Sequence, residues 1–127
     1  MKAFEELTPR GKARRLRAVA LQALAHYDLE AASLSLVGLF TNALFRLRTP
    51  QGASYVVRIC APRWRTDTDI RSEVMWLEAL AQAPEINAPV PVRSRAGEAF
   101  VMATALGFAA PSRCTVMSWL HGTALGK

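Results

Sequence analysis

The chain has 127 residues, 51% of them hydrophobic, which suits one domain with a moderate core that buries roughly two thirds of its unfolded surface. It has no run of about 18 apolar residues that would form a membrane-spanning helix, and its start, MKAFEELTPRGKARRLR, lacks the short apolar core of a secretory signal. Cys60 and Cys114 stand without CxxC spacing or a nearby His pair, so neither a disulfide framework nor a zinc site is indicated and a reducing, cytoplasmic setting is expected, while the net charge of +6 raises the question of an anionic partner.

Six of the sixteen Lys and Arg residues fall in the first seventeen positions: Lys2, Arg10, Lys12, Arg14, Arg15 and Arg17. Most lie on one predicted helix. Thr8 can cap it, Pro9 fits its first turn, and Leu16, Val19, Ala20, Ala23, Leu24 and Tyr27 form its apolar stripe. The charges read either as the solvated face of a packed helix or as a surface for nucleic acid or an acidic partner; the lack of interleaved aromatic residues favours the first. His26, with no carboxylate or nucleophile at useful spacing, reads as structural.

Leu34 to Phe40 reads as an apolar strand ended by the turn pair Thr41-Asn42. Ala43 to Arg48 then alternates, with Phe45 and Leu47 on one side and Leu44, Arg46 and Arg48 on the other, as in a half-buried strand. Thr49-Pro50-Gln51-Gly52 supplies hairpin chemistry, with Gly52 able to take positive φ. The next strand, Ser54 to Ile59, holds one cation, Arg58, among apolar residues. After a loop containing Arg63, Trp64 and Arg65, read mainly as exposed charges with Trp64 over the sheet, Asp67-Thr68-Asp69 offers caps to a helix beginning near Ile70. That helix is expected over about 69–83, before Pro84, with Ile70, Val74, Leu77 and Leu80 on its apolar face and Glu73 close to it. A strand cation opposite an acid on the next helix can be held where it also meets phosphate oxygens; the pair can equally be structural only.

Ala88 to Val92 is extended by its prolines, Ala99 to Ala103 supplies another strand, and Cys114 to Met117 returns as a buried one that Ser118 to Gly122 breaks away from. Gly122 and Gly126-Lys127 do not make a P-loop, since three residues separate the glycines and no Ser or Thr follows the lysine. The expected fold is α+β: an antiparallel sheet of five to six strands with an N-terminal helix and one inserted helix. The expected arrangement is a single domain over 1–127, with helix and connector to 33, sheet over 34–117, and a hinge from 118.

The order and spacing of VGLFTNALFRLRTPQGASYVVRICAP, DIRSEVMWLEAL, APVPV and CTVMSWLHG resemble the small lobe of the aminoglycoside phosphotransferase family, which includes choline and homoserine kinase-like enzymes of protein-kinase-like fold. The resemblance covers nearly the whole chain and rests on several loose patterns together. It implies a nucleotide-binding lobe in which Arg58 holds phosphates, Glu73 orients Arg58, and the turn Phe40-Thr41-Asn42 closes over the phosphates. It further implies that Val56 and Met117 line the adenine slot, and that the Ser118 carbonyl and Leu120 amide contact the base. ATP or GTP is the implied nucleotide, and a small-molecule hydroxyl or amine the acceptor in the complete enzyme. Mg2+ is expected only with the large lobe. The turn lacks the G-x-G-x-x-G pattern of protein kinases, and Arg replaces their Lys at position 58.

Phosphoryl transfer also needs a base or orienting residue and metal ligands. The chain has no H-x-D-x-x-x-x-N and no Asp or Glu after Glu98. It is therefore expected to be a truncated lobe, inactive alone, with an exposed inter-lobe surface through which it could self-associate. The rival reading is a non-catalytic basic module for nucleic acid or a protein partner, built on the first helix; nucleic acid is the less expected partner, and a membrane is not expected.

Overall fold

The computed structural model describes residues 8–39, 42–60, 66–83, 85–105 and 110–119. Thr8 caps the first helix, α1 (Pro9–Leu24), its hydroxyl accepting the Gly11 amide at 3.1 Å. The helix carries five cations and no acid, yet its inner stripe is fully apolar: Leu16, Val19, Ala20, Ala23 and Leu24 are buried together with Tyr27. Arg95, remote in the chain, donates to the carbonyls of Ala25 and Tyr27 at 3.2 and 3.0 Å, closing the end of α1.

Among the described residues six strands follow: β1 (Ser33–Leu39), β2 (Ala43–Arg48), β3 (Ser54–Ile59), β4 (Pro91–Val92), β5 (Val101–Ala103) and β6 (Ser112–Ser118). They form one antiparallel sheet in the order β1-β2-β3-β6-β4, with β5 also paired to β6. The β2–β3 turn is built as its residues dictate. Gly52 takes φ 89°, and the Thr49 hydroxyl accepts the Ala53 amide at 3.1 Å. The pairing register then assigns the two faces, because partners across an antiparallel ladder share a face. One face carries Ala43, Phe45, Leu47, Val57, Ile59, Cys114 and Val116 against α1, and this is the main core. The other carries Leu44 and Arg46, Val56 and Arg58, and Thr115 and Met117.

The second helix, α2 (Asp67–Leu80), lies against that other face. Its start differs from expectation. Thr66 is the cap, and Asp69, expected as a capping candidate, is the third helical residue of a capping box: the Thr66 hydroxyl accepts the Asp69 amide and Asp69 accepts the Thr66 amide, both at 3.1 Å. The helix ends at Leu80, ahead of the expected 83, and only Ile70 and Val74 of its apolar row are buried. Ile70 packs with Cys60 and Phe100 in a small second cluster. The extended stretch over 88–92 contains the short strand Pro91–Val92, the expected strand over 99–103 shortens to Val101–Ala103, and β6 extends two residues earlier and one later than expected. The expected loop residues Arg63, Trp64 and Arg65, Pro84, and the glycines beyond Leu120 lie outside the described residues.

Two buried protons couple this core to pH. Burial, then the neighbouring Cys114, pushes the Tyr27 phenol from 10.0 up to about 12, and burial, then Cys60, pushes the Cys114 thiol from 9.0 to about 12. Both groups keep their protons longer in the folded state than in the unfolded one. Their contribution is therefore complete below about pH 9 and is lost as pH rises through the folded values near 12. The urea midpoint is expected to fall over that window. The Tyr27 hydroxyl is buried and has no hydrogen-bond partner among the described residues, so Tyr27→Phe should raise stability by about 1 kcal/mol and soften the alkaline loss.

Candidate functional site

β3 is central, flanked by β2 and β6, so a side chain in it is covered from both sides. Arg58 is accordingly only 9% exposed. A cation that deep must be paired and hydrogen-bonded. The register supplies the first partner: Thr115 lies directly opposite on β6, and its hydroxyl accepts Arg58 Nε at 3.2 Å. The helix supplies the second. Glu73 faces the guanidinium with both carboxylate oxygens, Oε2 accepting Nη1 at 3.2 Å and Oε1 accepting Nη2. This is the two-bond fork of an arginine and a carboxylate, which fixes the plane as well as the charge. Burial alone would lower the Arg58 pKa, but the hydrogen bond to Glu73, followed by nearby Cys60 and the Glu73 charge, outweighs it and the pKa is raised. Arg58 is a permanent cation.

Two residues before Arg58 on the same face stands Val56, paired with Met117. Both are buried. Beyond Met117, the Ser118 amide donates to the Val90 carbonyl and its hydroxyl accepts the Val90 amide, each at 2.8 Å, which ties the end of β6 to the residue before β4. Asn42 sits half-buried in the bend before β2. The structure thus brings together Arg58 and Glu73 and sets Val56 and Met117 beside them on one face, while Ser118, next along β6, pairs with Tyr55 in the alternate layer. Phe40, Thr41 and Leu120, the other residues expected at the site, lie outside the described residues.

Sequence reasoning missed Thr115, whose role needs the register of two strands 57 residues apart. It also missed two further arginine pairs that hold α2: Arg113 of β6 with Asp67, and Arg93 with Glu78 at 2.7 and 2.8 Å. The bond from Arg93 lowers the Glu78 pKa. On the other side of the α2 start is an open cleft of about 460 Å3 lined by His26, Asp67, Arg71, Phe100, Met102 and Arg113. Its charges are largely engaged with their neighbours, Arg113 on Asp67 and Arg71 over the Phe100 ring at 5.3 Å.

Comparison with known families matches residues 34–127 to the phosphotransferase enzyme family. Among solved structures, a microcompartment-associated aminopropanol kinase superposes with a TM-score of 0.71 at 27% identity, over 84% of this chain and 32% of that one. An amicoumacin kinase in complex with AMP-PNP, Ca2+ and Ami superposes with a TM-score of 0.71 at 21% identity, over 91% of this chain and 34% of that one, a likeness of fold. The chain spans about a third of the length of each. No curated protein sequence matches it.

Removing one half of the fork should cost more than removing both. Glu73→Ala leaves a buried cation facing α2 and is expected to lose about 3 kcal/mol of stability, while the pair Arg58→Met with Glu73→Leu should recover most of it. Urea unfolding of the single and double variants measures this. Equal losses in Glu73→Ala and the double variant would show that the two side chains are not coupled.

Proposed function

Because this chain belongs to the phosphotransferase enzyme family, we propose that it is the nucleotide-binding small lobe of a small-molecule phosphotransferase. The observation that carries the proposal is the buried Arg58–Glu73 fork on the same sheet face as the Val56–Met117 pair. A phosphate-binding cation must be fixed in direction, and Glu73 fixes it. A base needs an apolar slot one layer away, and Val56 and Met117 supply apolar surface there. The nucleotide is ATP or GTP, and the phosphoryl acceptor a hydroxyl or amine of a small molecule. By resemblance to the family, Phe40, Thr41 and Asn42 are assigned to the phosphates, and the Ser118 carbonyl and Leu120 amide to the base edge.

Magnesium accompanies nucleotides in such reactions and would neutralise phosphate charge there. Among the described residues no group of three or more His, Cys, Asp or Glu side chains could hold a metal ion. The chain has no Asp or Glu after Glu98, and it is expected to bind nucleotide without transferring phosphate.

A second reading rests on α1, whose Arg10, Arg14 and Arg17 are exposed along a helix that carries no acid. There the chain would dock a polyanion, and an oligonucleotide complex would weaken steeply with salt and vanish in Arg14→Glu with Arg17→Glu.

Calorimetry with ATP, GTP, adenosine and tripolyphosphate tests the main reading. Wild-type chain should bind ATP or GTP, and Arg58→Met should weaken the triphosphates by about tenfold or more while leaving adenosine unchanged. ATP and GTP binding that does not respond to Arg58→Met would overturn the phosphate role.

A further inference from the structure

Arg46 is unexplained by the pair that defines the site. It lies on β2 directly opposite Val56, one strand away from the apolar slot and on the same face. Two positions further along that face the layer is made of Arg48 and Ser54, which are register partners. The chain leaving β6 continues into this layer, the Trp119 amide donating to the Ser54 carbonyl at 3.2 Å. Arg46 closes it. Its Nε and Nη2 donate to the Ser54 hydroxyl at 3.4 and 3.2 Å, and its guanidinium carbon stands 4.5 Å from the centre of the Trp119 ring. That is within stacking range for a cation on an indole face.

Ser54 is thus gripped twice, by its hydroxyl from Arg46 and by its carbonyl from Trp119, and Arg46 also covers the tryptophan ring. The result is a three-residue latch across β2, β3 and the end of β6. It flanks the Val56–Met117 layer on the side opposite Arg58, so the base slot lies between two arginines with different tasks. Arg58 faces the helix and its carboxylate. Arg46 faces the departing chain.

We propose that Arg46 is a positioning residue for the nucleotide base: by stacking on Trp119 and bonding Ser54 it fixes the direction in which the chain leaves β6. This inference rests on the nucleotide reading above, and it assigns the latch to base recognition and not to phosphate binding. Arg46 would not touch the nucleotide. Its effect is the spacing between the Val56–Met117 surface and the end of β6 at Ser118 and Trp119.

The test separates the latch from the nucleotide reading. In Arg46→Ala, amide exchange read by NMR should quicken about tenfold at Trp119, whose amide the latch holds, and stay unchanged at Val57 and Val116 within the sheet core. Adenosine affinity should fall about tenfold and tripolyphosphate affinity should not change. Trp119→Phe keeps a ring under the guanidinium and should retain adenosine binding, which a general loss of stability would not predict. Unchanged Trp119 exchange in Arg46→Ala, or equal losses for adenosine and tripolyphosphate, would overturn the latch. Quickened Trp119 exchange in a protein whose wild type binds neither ligand would keep the latch as a structural fact and overturn its base-positioning role together with the nucleotide reading. Adenosine binding that is indifferent to Arg46→Ala would overturn the positioning role alone.

Discussion

A guanidinium in the middle of a sheet is the constraint on which one side of this molecule depends. Arg58 lies on the central strand and is 9% exposed, so its charge must be answered from within the protein. One answer comes from the neighbouring strand and sets a condition on register: Thr115 can accept Nε only because β3 and β6 pair Arg58 with it. The other comes from α2 and sets a condition on helix phase. Glu73 stands seven residues beyond the Thr66 cap, about two turns into the helix. A shift of the cap by one residue would swing Glu73 by about 100° around the axis and away from Arg58. The capping box of Thr66 and Asp69 is thus part of the site, although neither residue lies in it.

The two faces of the sheet are held by different forces. Against one face α1 packs an uninterrupted apolar stripe, and that contact is strong without any charge. Against the other, α2 buries only Ile70 and Val74. What holds the rest of α2 is a series of acids at its start, middle and end, Asp67, Glu73 and Glu78, each met by an arginine from elsewhere: Arg113, Arg58 and Arg93. The outer pairs are partly or well exposed and contribute little each. The middle pair is the one removed from water. An interface of this kind fixes direction more than it supplies stability.

Much of this was legible in the sequence, for local reasons. The β2–β3 hairpin follows from alternation and Gly52, α1 from its cap and stripe, and the Arg58–Glu73 pair from a cation in an apolar strand followed by an acid near the apolar side of the next helix. What escaped depends on contacts remote in the chain. Thr115 is 57 residues from Arg58, and Trp119 is 73 from Arg46; no periodicity within either segment reports how β3 and β6 align. The cap was misjudged because three polar residues, Asp67, Thr68 and Asp69, could each have started the helix, and the reciprocal bond between Thr66 and Asp69 decides for the residue before them. The family match reaches from Leu34 onward, so α1 lies outside it.

The order of side chains along the polar-side face also bears on how the site could work. Across β2, β3 and β6 it reads as successive layers: Leu44, Arg58 and Thr115; then Arg46, Val56 and Met117; then Arg48 and Ser54, with Trp119 bonded to Ser54. The Arg58 charge and the Val56–Met117 apolar surface are separated by one side-chain step, about 7 Å along a strand, and both stand on strands instead of loops. Rigid placement of this sort lowers the ordering cost of binding, because the groups are already arranged before a ligand arrives. Glu73 is the exception, since it reaches the site from α2. The same fork that orients Arg58 also ties α2 to the sheet. Any displacement of α2 would be felt first as a turn of the Arg58 guanidinium, with Thr115 left as its anchor on the sheet.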